Sequence, residues 1–508
     1  MQNNKSGFFK GISFSYMYLG MYLVTGLLVT PLLLSHFGSE YFAVLMLVYA
    51  IITYLNNIKL GIPESLSVLM AKESNLSQNI SLIKKSLYFL IFLIFLVFMF
   101  LLIIHFLIDD WRILLGEVSE LDKNTVLSII YILVIFSLIK IPFEMALSVF
   151  IGFHEVYLEK IYKTMTILVN FILVLITINI NISIVDFVLY SGLLDLLVSM
   201  FAFIHMSIKY KIYKKYSKNL IQPKYTFILN SGIQFFQLIV TQNLIWGIGI
   251  FIVSHFLTLQ DVTIYSLTMK IYIYIFLGLT IVNTVISPLY GKYLSNSNWS
   301  NIEKVFNISI RIFPFIGGFV WIGTLLFMSD IISQWTSSDE YFIGNEFVFF
   351  MGLFFYVTGY VNTLITFIMS LGKSRDIIFI RWNDVLFNIL ISSICVYYFG
   401  IIGISIGMSI SILFISLIYI IKMIKKDKFY QVNFNFTDHK NHLVYILIPS
   451  IIITFISVSY NATLFIKLLL FVFITIGYFI FSWKILSTNS KQTIVNLIKI
   501  LRKSDTND

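Results

Sequence analysis

Three charged residues, Asp195, Lys270 and Asp384, interrupt long apolar runs of this sequence. A charge placed in hydrocarbon is costly, so it normally faces a partner or a wet cavity and marks where function lies. Lys270 lies about eight residues inside its run, roughly 12 Å deep at 1.5 Å per residue. Its ammonium reaches the headgroups from there only with strain. Lys270 is therefore a candidate to hold an anion, and Asp195 and Asp384 are candidates for ion coupling or cavity charge. The competing expectation is a buried Lys270–Asp195 or Lys270–Asp384 pair that only joins helices.

Polar side chains add a second group of candidates. Asn230, Gln234, Gln237 and Thr241 fall at helical spacing on one face of a run. Gly352, Tyr356, Gly359, Thr363, Thr366 and Ser370 do the same in another. Lipid cannot satisfy such groups, so these faces look toward water, substrate or another helix. Asn230, Gln234, Gln237, Thr241, Tyr356 and Thr363 are expected cavity contacts, with helix packing as the alternative. Gly403, Gly407 and Ser411 form a small-xxx-small ridge that is expected to pack closely on a neighbouring helix. Lys59, Lys160, Arg311 and Arg381, near the ends of runs, are topology anchors or contacts for an anionic headgroup.

Other chemistry is excluded by what is missing. The sequence has no GxxxxGK[ST] phosphate loop, no HExxH and no Rossmann glycine cluster, and His154-Glu155 lacks the second histidine of a zinc site. Its single cysteine, Cys395, rules out a disulfide framework or a thiolate zinc cage. No catalytic residue, metal or cofactor is expected, and ATP cannot be the direct energy source.

The elements that position these residues follow from hydropathy. The 508 residues are 58% hydrophobic and only 12% charged, with a mean hydropathy of +0.91. Soluble proteins carry about 25% charge, so a multi-domain soluble enzyme is excluded. Runs of about 20 apolar residues are long enough to cross a bilayer. Spans are expected near 12–34, 41–60, 86–108, 126–149, 162–180, 185–208, 227–252, 262–287, 306–328, 346–369, 377–399, 401–422, 442–459 and 463–483. The first span follows the N-terminal residues directly, so no cleavable signal peptide is expected.

The connecting segments alternate in charge. One set holds 31 of the 35 basic residues, Lys140 counted among them, whereas the other carries Asp109, Asp110, Glu117, Glu120, Asp330, Asp339 and Glu340. Basic segments stay cytoplasmic, so both termini are expected inside. The formal net charge of +10 is thus a topology signal, with anionic lipid as a possible partner and no nucleic acid. Every outer segment is short, so function must be built from the helices and their ends.

The chain also repeats itself. Ser35-His36-Phe37 recurs as Ser254-His255-Phe256, Gly152 matches Gly372, and Asn170 matches Asn388, all in nearly one register; Pro63 and Pro288 match more loosely. The expected fold is an all-α polytopic membrane protein of about fourteen helices, built as two parallel six-helix repeats plus two C-terminal helices. The lobes are expected at 1–210 and 227–425, with a basic cytoplasmic linker at 211–226. The last two helices and a basic tail occupy 426–508. Two such halves around a cleft are the architecture of an alternating-access transporter.

Several local features carry a resemblance within this layout. They are Pro142-Phe-Glu-Met, Gly152-Phe-His-Glu, Ser231-Gly232, and Val262–Tyr265 followed by Lys270 and Pro288. With them the chain resembles the Wzx-type polysaccharide flippases, the polysaccharide transporter branch of the multidrug/oligosaccharidyl-lipid/polysaccharide exporter superfamily. The resemblance implies movement of undecaprenyl-diphosphate-linked oligosaccharide repeat units, of O-antigen or capsule type, across the bacterial cytoplasmic (inner) membrane. It implies coupling to H+ or Na+ and partnership with the polymerase and glycosyltransferases of the same pathway. Members often bear an acid in the middle of span 7; here that region reads Gln242-Asn-Leu-Ile-Trp-Gly247, so Asp195 or Asp384 is expected to substitute. Lys270 is expected to take the diphosphate, and the polar faces of spans 7 and 10 the sugar hydroxyls. A cation-coupled multidrug exporter of the same superfamily is the alternative. A membrane glycosyltransferase or O-antigen polymerase is the second, with Asp109, Asp110 or Glu117 as its acids.

Overall fold

The computed structural model describes residues 2–72, 75–107, 122–212, 225–295, 297–427, 429–430, 432, 448–449, 452–453, 456 and 463–485. The described chain is helical, as expected. In order the helices are α1 (Gln2–Leu55), α2 (Ile62–Lys72), α3 (Leu76–Leu107), α4 (Lys123–Gly152), α5 (Val156–Ile180), α6 (Ile184–Lys209) and α7 (Tyr225–Phe256). They continue as α8 (Leu259–Ser295), α9 (Trp299–Thr336), α10 (Asn345–Ser370), α11 (Ser374–Phe399), α12 (Ile401–Ser411), α13 (Ile418–Lys426) and α14 (Leu464–Ile485).

Among the described residues, ten stretches are long and apolar enough to cross a membrane. They differ from the fourteen expected spans for identifiable reasons. Spans 12–34 and 41–60 are the two helical stretches of α1, which meet at Gly38, where φ of 81° and ψ of 168° break the helix, and they run together as the single stretch Ser13–Lys59. Span 262–287 lies within the longer α8, several of whose side chains lie outside the described residues. Span 442–459 lies largely outside the described residues, and the apolar part described for the last helix is the shorter Leu464–Gly477. The acids Asp109, Asp110 and Glu117, and most of the linker 211–226, lie outside the described residues.

Short-range chemistry sets the helix ends. Asp122 caps α4 by accepting from the Thr125 amide at 2.9 Å, and Ser183 caps α6 through the Asp186 amide at 3.2 Å. Gly400, with φ of 59°, is the whole connection between α11 and α12. Only a residue free to adopt that conformation joins two helices so abruptly.

By internal packing the chain divides into two units, Met1–Ser266 and Leu267–Asp508. In the first, α2, α3, α4 and α6 enclose an apolar core around Ile62, Leu66, Met70, Met145, Phe150 and Met206. Helix α7 joins this unit because Gly61 and Gly232 let backbones meet, and because Asn243 donates to Asn57 at 3.0 Å. The turn after α4 is tied to the end of α6: Lys209 and Tyr210 both donate to Glu155, and Phe153 stacks on Tyr210 at 4.1 Å.

In the second unit α10 is buried along most of its length, and α11 packs on α12. The ridge Gly403–Gly407 makes that packing possible, since a Cβ at either position would collide with Cys395 or Ser392. Gly407→Val should therefore cost on the order of 1–3 kcal/mol of stability, read as a lower melting temperature in detergent. An unchanged melting point would mean that the ridge is not a close contact. Between α12 and α13, residues Ile412–Leu417 form a π-helical segment. Helix α14 is held to α9 by Lys467 on Asp330 at 2.6 Å and by Phe471 against Phe319 and Phe327.

The repeated residues hold matching places. Each Ser-His-Phe triplet ends a helical stretch, Phe37 before the Gly38 kink and Phe256 at the end of α7, with the His and Phe rings edge-to-face. The two asparagines differ in their contacts: Asn170 accepts across helices from Ser191 of α6 at 2.8 Å, whereas Asn388 accepts from Ser392 of its own helix at 2.8 Å.

Candidate functional site

Helix α4 carries Lys140 and Glu144 one turn apart, and residues four apart share a helix face. At 1.5 Å per residue, Lys140 stands roughly 18 Å from the Gly152 end of its helix, well inside α4. Pro142 lies between the two and has no N–H to give, which frees a carbonyl one turn back. This stretch of α4 is therefore polar where its neighbours are apolar.

Three other elements bring partners to this face. Lys59, ending the 3-10 turn Asn56–Lys59 that follows α1, reaches Glu144 at 2.6 Å. Lys140 sits 3.4 Å from Glu144 and 3.6 Å from Asp195 of α6. Asn170 of α5 donates to Asp195 at 2.6 Å and accepts from Ser191. The result is one chain of contacts, Lys59–Glu144–Lys140–Asp195–Asn170–Ser191, crossing α4, α5 and α6.

The three ion pairs are only partly buried, with side chains 18–25% exposed. They line a cavity of about 510 Å³ inside the first unit. At about 3 Å and an effective dielectric near 20, each contact is worth roughly 5 kcal/mol of attraction before desolvation. Desolvation takes back several kcal/mol per ion. The tetrad thus adds little net stability, and its chief effect is to keep two cations and two carboxylates in one wet space.

A second cluster borders the same cavity at the first turns of α5. Glu159, 2% exposed, forms ion pairs with Lys163 at 2.6 Å and with Lys160 at 3.0 Å. Both ammoniums lie over the Tyr18 ring of α1, at 5.2 Å for Lys160 and 6.0 Å for Lys163. Tyr18 stacks on Tyr22 one turn along. Glu64, Ser67, Ser148, Thr166 and Ser199 complete the polar lining, and Ile141, Met145, Val198 and Phe235 the apolar part. Such a wall offers cations to phosphate, carboxylates and hydroxyls to sugars, and ring faces to apolar groups.

Of the residues singled out in the sequence, Asp195 and Lys59 line this cavity, and Lys160 joins its border through Glu159. Gln234 and Gln237 lie half-buried in α7, next to the lining residue Phe235. Thr241 is buried, and its hydroxyl donates to the Gln237 carbonyl of its own helix at 2.9 Å. The side chains of Asn230 and Arg311 lie outside the described residues.

Lys270 lies half-buried in α8, in the second unit, and is not part of the lining of the 510 Å³ cavity. Asp195 is paired with Lys140 within the first unit, and Asp384 with Arg381 within the second. The Asp384 carboxylate, 1% exposed, accepts Ser411 at 2.6 Å and Ser416, with Arg381 at 3.5 Å. Arg381 is 3% exposed and is spent on this knot between α11 and α12. The polar face of α10 goes largely into packing: Thr363 donates to Gly359 at 3.1 Å and to Asn283 at 3.3 Å. Tyr356 borders a void of about 20 Å³ beside Trp321 and Tyr272.

The sequence reading missed Lys140, Glu144, Glu159 and Lys163 as site residues. A signal existed, because Lys140 and Glu144 lie inside the expected span 126–149 at i, i+4. Grouping Lys140 with the basic connecting segments hid it.

No protein-family model matches this chain, and no curated protein does. Among solved structures, the chain is similar to the lipid II flippase MurJ in an inward closed conformation, with TM-score 0.66 and 16% identity over 92% of this chain and 98% of that one. It is also similar to an inward-facing multidrug resistance MATE family transporter of the MOP superfamily, with TM-score 0.64 and 14% identity over 80% and 94%. A MOP superfamily transporter from Pyrococcus furiosus gives TM-score 0.57 and 13% identity over 82% and 93%. At these identities the likeness is one of fold.

Proposed function

We propose that this protein is a membrane flippase that moves a lipid-linked, diphosphate-bearing oligosaccharide across the bilayer by ion-coupled alternating access. The supporting observation is the cavity of the first unit, where Lys59, Lys140, Glu144 and Asp195 meet deep in apolar helices. A polyprenyl-diphosphate glycan needs cations for its phosphates and hydrogen-bonding groups for its sugars, whereas its tail can stay in lipid. The cavity wall provides the first two. The fold it shares with a lipid II flippase agrees with this reading, as do the flippase-like sequence features. In this reading the glycan is a repeat unit of O-antigen or capsule type, moved across a bacterial inner membrane. H+ or Na+ drives it, and the polymerase and glycosyltransferases of the same pathway are its partners.

Purified protein in vesicles should move a fluorescent polyprenyl-diphosphate disaccharide between leaflets several-fold faster than protein-free vesicles do. Equal rates would overturn the proposal. The exposed carboxylate of Glu64 on the cavity wall favours a second reading, a cation-coupled exporter of organic cations. Ethidium movement driven by a pH gradient, without glycolipid movement, would select it.

A further inference from the structure

Resting on the reading of a diphosphate-linked glycan, we infer that the cavity holds two subsites of different charge, a diphosphate subsite at Lys160 and Lys163 and a sugar subsite at the Lys59–Glu144–Lys140–Asp195 tetrad. The inference comes from how the charges are grouped. In the tetrad two lysines face two carboxylates, and every ammonium lies within 4 Å of a carboxylate. An anion entering there must displace a carboxylate that has nowhere else to go. Sugar hydroxyls meet no such conflict, since they donate to the carboxylates and accept from the ammoniums.

At α5 the balance differs. Lys160 and Lys163 share the single carboxylate of Glu159, leaving one positive charge in excess. Glu159 is enclosed, whereas the Lys163 side chain is 41% exposed and that of Lys160 is 21% exposed. The ammoniums keep donors available, because each carries three N–H groups and Glu159 offers only two oxygens. Both lysines lie within the first two turns of α5, at the positive end of its helix dipole. The Tyr18 ring beneath them holds both ammoniums over one surface. Tyr18, Tyr22 and Lys163 all line the cavity that the tetrad lines, so a diphosphate held at α5 has its sugars beside the tetrad.

The test measures binding of geranyl diphosphate and of inorganic pyrophosphate to the full-length protein in nanodiscs. Lys160→Gln with Lys163→Gln should weaken both at least tenfold and flatten the salt dependence, whereas Lys140→Gln should change pyrophosphate affinity less than threefold. Lys84→Gln with Lys85→Gln, which removes two α3 lysines away from the cavity, should leave both unchanged. Removing both α5 lysines strands the enclosed Glu159. If that variant fails to fold, the triple variant that adds Glu159→Gln should show the same loss in a folded protein. Unaltered diphosphate affinity in the α5 variants, or an equal loss in Lys140→Gln, would overturn the two-subsite assignment and leave the flippase reading standing. Wild-type protein that binds neither probe saturably would overturn both.

Discussion

Lys140→Met should slow transbilayer movement of the lipid-linked glycan at least a hundredfold in reconstituted vesicles, while the protein still inserts and purifies. A hundredfold corresponds to about 2.7 kcal/mol of barrier. Lys140 is the only residue of the tetrad that touches both carboxylates, at 3.4 Å and 3.6 Å. Its loss leaves Asp195 with Asn170 as partner and Glu144 with Lys59. Breaking a fully buried pair costs 3–5 kcal/mol. Here the groups face a wet cavity and are about a fifth exposed, so the penalty to folding is expected nearer 1–2 kcal/mol, which a membrane bundle of this size tolerates. The double variant Lys140→Met with Asp195→Asn removes the stranded charge. It should recover melting temperature without recovering transport. Transport at the wild-type rate by either variant would remove the tetrad from the substrate path.

The largest effect on stability is expected at the other end of the burial scale. Asp384→Ala should destabilise the protein by about 3–5 kcal/mol, because it removes the buried carboxylate that Arg381 pairs with. It also deprives Ser416 of its acceptor and leaves Ser411 only the backbone carbonyl of residue 384. Arg381→Met with Asp384→Leu should cost far less, since an apolar pair of similar volume replaces the ions without leaving a charge behind. Thermal unfolding of purified protein in detergent measures both. An Asp384→Ala protein that melts with the wild type would mean that Asp384 is not a structural lock.

The contrast between these two carboxylates marks what the sequence can and cannot reveal. Asp195 and Asp384 look alike in it, each a lone acid in an apolar run. Asp195 opens on a cavity because Asn170 and Lys140 approach from other helices, and those approaches depend on packing rather than on local pattern. Asp384 is closed off by serines 27 and 32 positions away, a separation that no periodicity encodes. The helices themselves were readable, because twenty-residue apolar runs have few other fates. Their ends were also readable where a cap residue such as Asp122 or Ser183 stands. The division of α1 was readable too, since Gly38 falls in the gap between the expected spans 12–34 and 41–60. The polar stripe of α10 followed helical spacing as expected, but spacing cannot distinguish a face turned to substrate from one turned to Trp321 and Asn283. The small-residue ridge of α12 was readable because a missing side chain has one common use.

The π-helical segment Ile412–Leu417 explains how Ser411 and Ser416 reach the same carboxylate. In a regular helix, residues five apart point in different directions; i→i+5 bonding brings them onto one side. The segment acts as a phase shift of about one residue, near 100° at 3.6 residues per turn. Everything after it, including the inward-facing Ile420, Ile421 and Ile424, is turned by that angle relative to a helical wheel drawn from Ile401. The span is therefore two wheels of different phase in series, and Asp384 sits at the joint, where its two serines fix the phase of one to the other.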